Sequence, residues 1–200
     1  ILLDLGFSSD ELLDPEIGLS FARPGVLDMR LGEAISDDGL TAAHVVNQWP
    51  EHDLEEVIRL YGEERWSRVI ARAIVQARKH EFITRTDALA QVIVDAVPAS
   101  YEQGRIHPAT RTFQALRILV NDELKNLRLA IEAAERVLAP GGRIAIITFH
   151  SLEDRFVKKA FQSSGWNVLS KKPMVPSTIE IEANPRSRSA KLRVAGRALN

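Results

Sequence analysis

Apolar residues recur along this chain with two different periods, and the switch between them marks out its parts. At the start, Ile1-Leu2-Leu3-Asp4-Leu5 is a short apolar run broken by Gly6-Phe7-Ser8-Ser9, the pattern of a buried strand that ends in a turn. From Leu40 to Pro98 the period becomes helical. Leu54, Val57, Ile58 and Tyr61 share one face, Trp66, Ile70, Ala73, Ile74 and Ala77 another, and Thr86-Asp87 opens a third stretch from Leu89 to Val97. After His107-Pro108 a longer repeat through Phe113, Leu116, Val120, Leu124, Leu127, Ile131, Ala134 and Leu138 predicts one helix of roughly 26 residues, about 39 Å long, lying along a sheet.

Ala139-Pro140-Gly141-Gly142 stops that helix, and Ile144-Ala145-Ile146-Ile147 predicts a buried parallel strand that breaks into His150, Ser151, Glu153, Asp154 and Arg155. Ligands of open α/β sheets bind outside the carboxyl ends of the strands, so chemistry is expected at this polar cluster. Ser151-Leu152-Glu153-Asp154 has the pattern of a capping box with Ser151 as the N-cap. Leu152, Phe156, Val157, Ala160 and Phe161 then supply the apolar face of a helix ending near Gly165. Ala190 to Ala195 predicts a last strand with Lys191 and Arg193 outward and Leu192 and Val194 inward. The expected fold is α/β, with a helical insert within the α/β core.

Composition narrows the class further. Of 200 residues, 45% are hydrophobic and 26% charged, enough for one sizeable domain or two small ones. The absence of cysteine excludes a disulfide framework and thiolate metal sites. No run approaches the roughly 18 apolar residues that span a bilayer, so no membrane partner and a cytoplasmic setting are expected. A net charge of −1 argues against a wholesale polyanion binder. The charge is uneven, however: from Asn184 onward, Arg186, Arg188, Lys191, Arg193 and Arg197 stand without an acid. Pro185 is expected to keep Arg186 and Arg188 on an extended segment, where they meet RNA phosphates or brace against a carboxylate such as Asp4 or Glu153.

Other constellations are weaker. His150, Ser151 and Asp154 suggest a hydrolase triad, but adjacent residues cannot present a facing Ser–His pair. Histidines at 44, 52, 80, 107 and 150 lack metal-ligand spacing, so no metal is expected. Gly141-Gly142 precedes a strand and is a turn, not a phosphate loop. His107 and Arg111 stand where the helical insert rejoins the core, suited to RNA phosphate or to fixing that junction. Trp49 and Trp66 could stack on bases, although tryptophans at helical spacing are more often core residues.

Seven blocks together resemble a known family. Ile1-Leu-Leu-Asp-Leu-Gly-Phe-Ser-Ser9, Gly18-Leu-Ser-Phe21 with Leu27-Asp-Met-Arg30, Tyr61-Gly-Glu-Glu-Arg65, Ile70-Ala-Arg-Ala-Ile74, His107-Pro-Ala-Thr-Arg-Thr-Phe-Gln-Ala115, Phe149-His-Ser-Leu-Glu-Asp-Arg155 and Asn184-Pro-Arg-Ser-Arg-Ser189 resemble the MraW family of small-subunit rRNA methyltransferases. The resemblance implies a partial Rossmann-like class I methyltransferase core, from its fourth strand onward, over residues 1–36 and 107–200. Between them, 37–106 would be an inserted helical substrate-recognition domain. It also implies transfer of a methyl group from S-adenosylmethionine to the N4 amine of a cytidine in 16S rRNA. The small ribosomal subunit is then the partner, and a homodimer is an open alternative to a monomer.

The family's glycine loop and ribose-binding acid would lie upstream of Ile1, so this chain alone is expected to be inactive. The resemblance places Asp4 and Glu11 against the cofactor, Glu11 standing where the family motif carries Gln. Asp4, Ser8 and His150 make up the expected catalytic set, and Phe7, His107, Arg111, Arg186 and Arg188 the expected RNA contacts. Asp4-Leu5-Gly6-Phe7 loosely parallels the Asp-Pro-Pro-Tyr loop of other amino-group methyltransferases, in which an aromatic ring stacks on a flipped base. Two other classes share parts of the pattern: a nicotinamide-dependent oxidoreductase of the same architecture, and a non-catalytic RNA- or ribosome-binding module.

Overall fold

The protein is described by a computed structural model covering residues 1–32 and 39–198. In chain order its elements are β1 (Leu2–Asp4), α1 (Ser9–Leu13), α2 (Ala42–Gln48), α3 (Glu51–Gly62), α4 (Ser67–Ala77), α5 (Thr86–Ala96), α6 (Ala109–Val120) and α7 (Glu123–Val137). There follow β2 (Arg143–Thr148), α8 (Ser151–Ala160), β3 (Trp166–Val168), α9 (Thr178–Ala183) and β4 (Lys191–Arg197). Two compact units divide the chain, one of residues 1–7 and 124–200, the other of residues 8–123. The expected boundary at 36/37 lies outside the described residues. The expected boundary at 106/107 falls inside the second unit, because α6 packs on α3 and α5.

The first unit is built on a mixed sheet in the order β1-β2-β4-β3. β1 runs parallel to β2, while β4 runs antiparallel to both β2 and β3. Leu127, Ile131 and Ala134 of α7 and Val157 of α8 pack with Ile144 and Ile146 of β2 and with Phe161, Trp166 and Ala195 in one core. Each side chain of this size that is fully removed from water contributes about 1.5–3 kcal/mol. Alternate residues of β2, Ala145 and Ile147, remain only half-buried, as do Leu192 and Val194 of β4.

The expected orientation of β4 is thereby reversed. Arg193 is 6% exposed and on the buried side, because its guanidinium forms a two-pronged ion pair with Asp154 of α8 at 2.7 and 3.2 Å. Charge alone placed it outward in the sequence pattern; the carboxylate on α8 is what lets it turn in. Neither β3 nor α9 has a periodic signal strong enough to be foreseen, being three and six residues long. Residues Pro185–Ser189, expected to be extended, form a 3-10 turn in which Ser187 is buried and its hydroxyl donates to the Asn184 carbonyl at 2.8 Å.

The second unit is helical. Leu54, Val57 and Ile58 of α3, Ile70, Ala71 and Ile74 of α4, Leu89 and Ile93 of α5 and Phe113, Leu116 and Ile118 of α6 are buried. The α3–α6 crossing is close because Gly62 has no side chain: a Cβ there would lie 2.6 Å from the Arg111 carbonyl oxygen. Thr86 ties in the loop before α2, accepting from Gly25 N at 2.9 Å and donating to the Arg23 carbonyl at 3.2 Å.

The single 26-residue helix expected after Pro108 is two helices. Asn121 ends α6 and Asp122 takes a left-handed φ of 49°. The Asn121 amide turns aside to clamp the loop at Met29, itself at φ 67°, accepting from Leu31 N at 2.9 Å and donating to the Met29 carbonyl at 2.8 Å. Apolar periodicity runs straight through this break, so it conceals the polar side chain that causes it.

Candidate active site

In the sheet unit, the carboxyl ends of the parallel strands β1 and β2 lie side by side, with Asp4 in register with Ile147 and Leu5 N donating to the Ile147 carbonyl at 3.1 Å. Asp4 is exposed at that end. Its Oδ1 accepts from Gly6 N at 3.0 Å, closing a turn that fixes the carboxylate beside the strand end. The Phe149 ring lies against Gly6, so that a Cβ on Gly6 would be 2.9 Å from the ring and 3.1 Å from Asp4 Oδ1. Phe7, half-buried, follows directly. The candidate site is therefore an acceptor carboxylate on a tight turn bordered by an aromatic ring.

His150 serves the next helix. It, not Ser151, is the N-cap of α8, its Nδ1 accepting from Glu153 N at 3.3 Å. Glu153 is 4% exposed and returns the interaction, its Oε2 accepting from Phe149 N at 2.8 Å and His150 N at 3.3 Å. An acceptor role for Nδ1 leaves the ring proton on Nε2, which is buried 3.1 Å from Glu153 Oε1 without the alignment of a hydrogen bond. The expected catalytic histidine thus anchors the Phe149 loop. The capping-box expectation, Ser151 with Asp154 three residues on, placed both the cap and its acid one residue late, because Ser is the commoner cap and His is rarely considered.

Ser8 and Glu11 belong to the helical unit and form a reciprocal capping box at α1. Ser8 Oγ accepts from Glu11 N at 3.1 Å, and Glu11 Oε2 from Ser8 N at 2.9 Å. The Ser8 backbone N–H, then its hydroxyl, hold the Glu11 carboxyl below the usual range and keep it ionised. His107 stacks on Phe21 with ring centroids 4.4 Å apart, and its Nδ1 accepts from Ala109 N at 3.2 Å. Arg111 lies 3.0 Å from Glu102 and 3.8 Å from Glu64, so the structure gives it a bracing role. Arg186 and Arg188 are exposed on the 3-10 turn of the sheet unit. There the bracing arginine is Arg193, through Asp154.

Sequence reasoning placed Glu153 in the polar cluster but gave Phe149 no role of its own, and it missed Glu64 and Tyr101 in the helical unit. The Tyr101 hydroxyl donates to Glu64 Oε2 while Trp66 N donates to Oε1 at 2.8 Å. Burial, then the Glu64 carboxylate, push the Tyr101 phenol well above its usual range, so it stays a donor. Adjacent acids at Glu63-Glu64 look like a solvated face, and only Glu64's 1% exposure reveals that one of them is structural.

The profile of the MraW methylase family matches residues 1–198. Curated relatives named ribosomal RNA small subunit methyltransferase H include one from Synechococcus elongatus, 54% identical over 200 residues, which are 100% of this chain and 66% of the relative. One from a Nostoc species is 55% identical over 98% of this chain and 63% of its own length. One from Rhodopseudomonas palustris is 48% identical, again over 98% and 63%. The chain spans slightly less than two thirds of these relatives.

Proposed function

Because the chain belongs to the MraW methylase family, we propose that this protein transfers a methyl group from S-adenosylmethionine to the exocyclic N4 amine of a cytidine in 16S rRNA of the small ribosomal subunit, in the cytoplasm. The observation that carries the reading is the exposed Asp4 carboxylate, pinned by Gly6 N at the carboxyl end of β1 and flanked by Phe149.

S-adenosylmethionine supplies an electrophilic methyl on its sulfonium when bound, and the acceptors present, each taken by itself, suit the donors that such a molecule carries. Beyond the oxygen on Gly6 N, Asp4 offers a second carboxylate oxygen; beyond the oxygen on Ser8 N, Glu11 offers another. Both suit hydroxyl, amide and ammonium donors. The remaining work is positioning and exclusion of water, worth roughly 7–11 kcal/mol in favourable cases.

A cytosine amine is a poor nucleophile because its lone pair is delocalised into the ring. An acceptor holding one of its N–H groups reduces that delocalisation and aims the remaining density. Asp4 takes that role in our reading, while Phe7 and Phe149 offer apolar faces to a base drawn out of its helix. Ser8 fixes Glu11, and the His150–Glu153 cap fixes the Phe149 loop. Arg186 and Arg188, with His107, are assigned to the RNA.

In the full-length enzyme, Asp4→Asn is expected to reduce methyl incorporation into small-subunit rRNA at least about tenfold, roughly 1.4 kcal/mol of transition-state stabilisation, with an unchanged melt. Near-normal incorporation would remove Asp4 from the chemistry.

A further inference from the structure

The helical unit holds a cleft that the proposed reaction does not use. It is open to solvent, has a volume of about 320 Å3, and is lined by Arg65, Ser100, Glu102 and Arg105. Arg65 comes from the short link between α3 and α4, and the other three from the link between α5 and α6. Two loops distant in sequence therefore place two guanidinium groups and a hydroxyl around one opening.

The walls are held by polar contacts, not by loop packing alone. Glu64, adjacent to Arg65, accepts from the Tyr101 hydroxyl, adjacent to Ser100, and so joins the two links. Arg111 of α6 reaches Glu102 at 3.0 Å and Glu64 at 3.8 Å. The one carboxylate in the lining is thus already engaged by a cation, and Glu102 is fixed there at a left-handed φ of 45°. The Arg65 guanidinium is itself steadied 5.7 Å over the Trp66 ring. Within the lining two guanidinium groups stand with one carboxylate, and that carboxylate is the one Arg111 engages.

We propose that this cleft binds the ribose-phosphate backbone of the rRNA substrate, with Arg65 and Arg105 forked onto phosphate oxygens and the Ser100 hydroxyl as a further donor. Planar guanidinium groups are the side chains best matched to phosphate, and contacts of this kind fix the register of an RNA without reading its sequence. Arg111, the arginine that sequence position favoured, instead preorganises the cleft by neutralising its acid. The proposal rests on the rRNA substrate reading above and adds a second anchoring point on the helical unit.

The test measures binding of a labelled 16S rRNA transcript to the full-length protein across a KCl series. Wild type is compared with Arg65→Gln/Arg105→Gln and with Arg65→Lys/Arg105→Lys. Each lost phosphate contact removes about 0.7–0.9 from the slope of log affinity against log salt. The Gln pair is expected to lower that slope by about one to two units and to weaken binding tenfold or more near physiological salt, since each contact is charge-assisted. The Lys pair, which keeps the charges, is expected to retain the slope. Melting temperature and affinity for S-adenosylmethionine are expected to stay at wild-type values in both. An unchanged slope in the Gln pair, or an equal loss in the Lys pair, overturns the cleft while leaving a wild type that binds and methylates rRNA. A wild type that binds no rRNA overturns the cleft and the substrate reading together.

Discussion

The two units bury an arginine–carboxylate contact in opposite ways. In the helical unit the carboxylate is the buried partner: Glu64 is 1% exposed, inside a cluster with Tyr101, Trp66 N and Arg111. In the sheet unit the arginine is the buried partner, Arg193 at 6% exposure, and its Asp154 stands nearer the surface with Lys191 3.6 Å away. The packing differs in parallel. The helical unit turns the apolar faces of α3, α4, α5 and α6 inward, whereas the sheet unit buries Ile144 and Ile146 of β2 among α7 and α8. The acceptor carboxylate Asp4 stands on β1, the parallel neighbour of that strand.

The comparison can be broken first at Glu64. Glu64→Ala removes the acceptor for the Tyr101 hydroxyl and Trp66 N and strips Arg111 of a buried partner; the expected cost is about 3 kcal/mol. Thermal or urea melts check it, and a cost below about 1 kcal/mol would mean that the cluster is no more than a surface ion pair. A smaller effect, about tenfold in rate or 1.4 kcal/mol, is expected for Gly6→Ala in the full-length enzyme. The added methyl would meet Phe149 and Asp4 Oδ1 and shift the carboxylate. Methyl transfer should fall while the melt stays put, and equal activity would show that the turn tolerates displacement.

The smallest effect is expected at Asp154. Burial opposes ionisation of its carboxyl, but hydrogen bonds and charge from Arg193, with Lys191, outweigh it and hold the carboxyl below the usual aspartate range. A depressed carboxyl stabilises the fold above its unfolded pKa and loses that contribution as pH falls through its folded value. Asp154→Asn is therefore expected to cost about 1 kcal/mol near neutral pH, with the gap to wild type closing below about pH 4. Urea unfolding of both proteins across that range checks it, and a gap independent of pH would assign the effect to shape instead of charge.

Much of this architecture was legible in the chain because it depends on periodicity. The apolar faces of α3, α4 and α5, the β2 run, and the Asp4 and Phe149–Arg155 segments all stand in the sequence. What was not legible depends on a single partner distant in the chain. Arg193 points inward only because Asp154 is there, the long helix breaks only because Asn121 has Met29 to clamp, and Glu64 is buried only because Tyr101 and Arg111 meet it. The cleft arginines escaped notice for the same reason, since Arg65 and Arg105 are separated by two helices and become neighbours only through the fold.

The parallel pairing of β1 with β2 also sets an order of assembly. The backbone nitrogen of Ile1 donates to the Arg143 carbonyl across 142 residues of sequence, and the ends of so long a loop meet slowly. The helical unit, by contrast, has all of its residues once Glu123 has been synthesised. On the ribosome it can close around α3 and α6 while β1 still lacks this neighbour, and the strand that carries Asp4 gains it only when residues 143–148 emerge. The turn that presents the acceptor carboxylate is then translated before the helical unit and fixed after it.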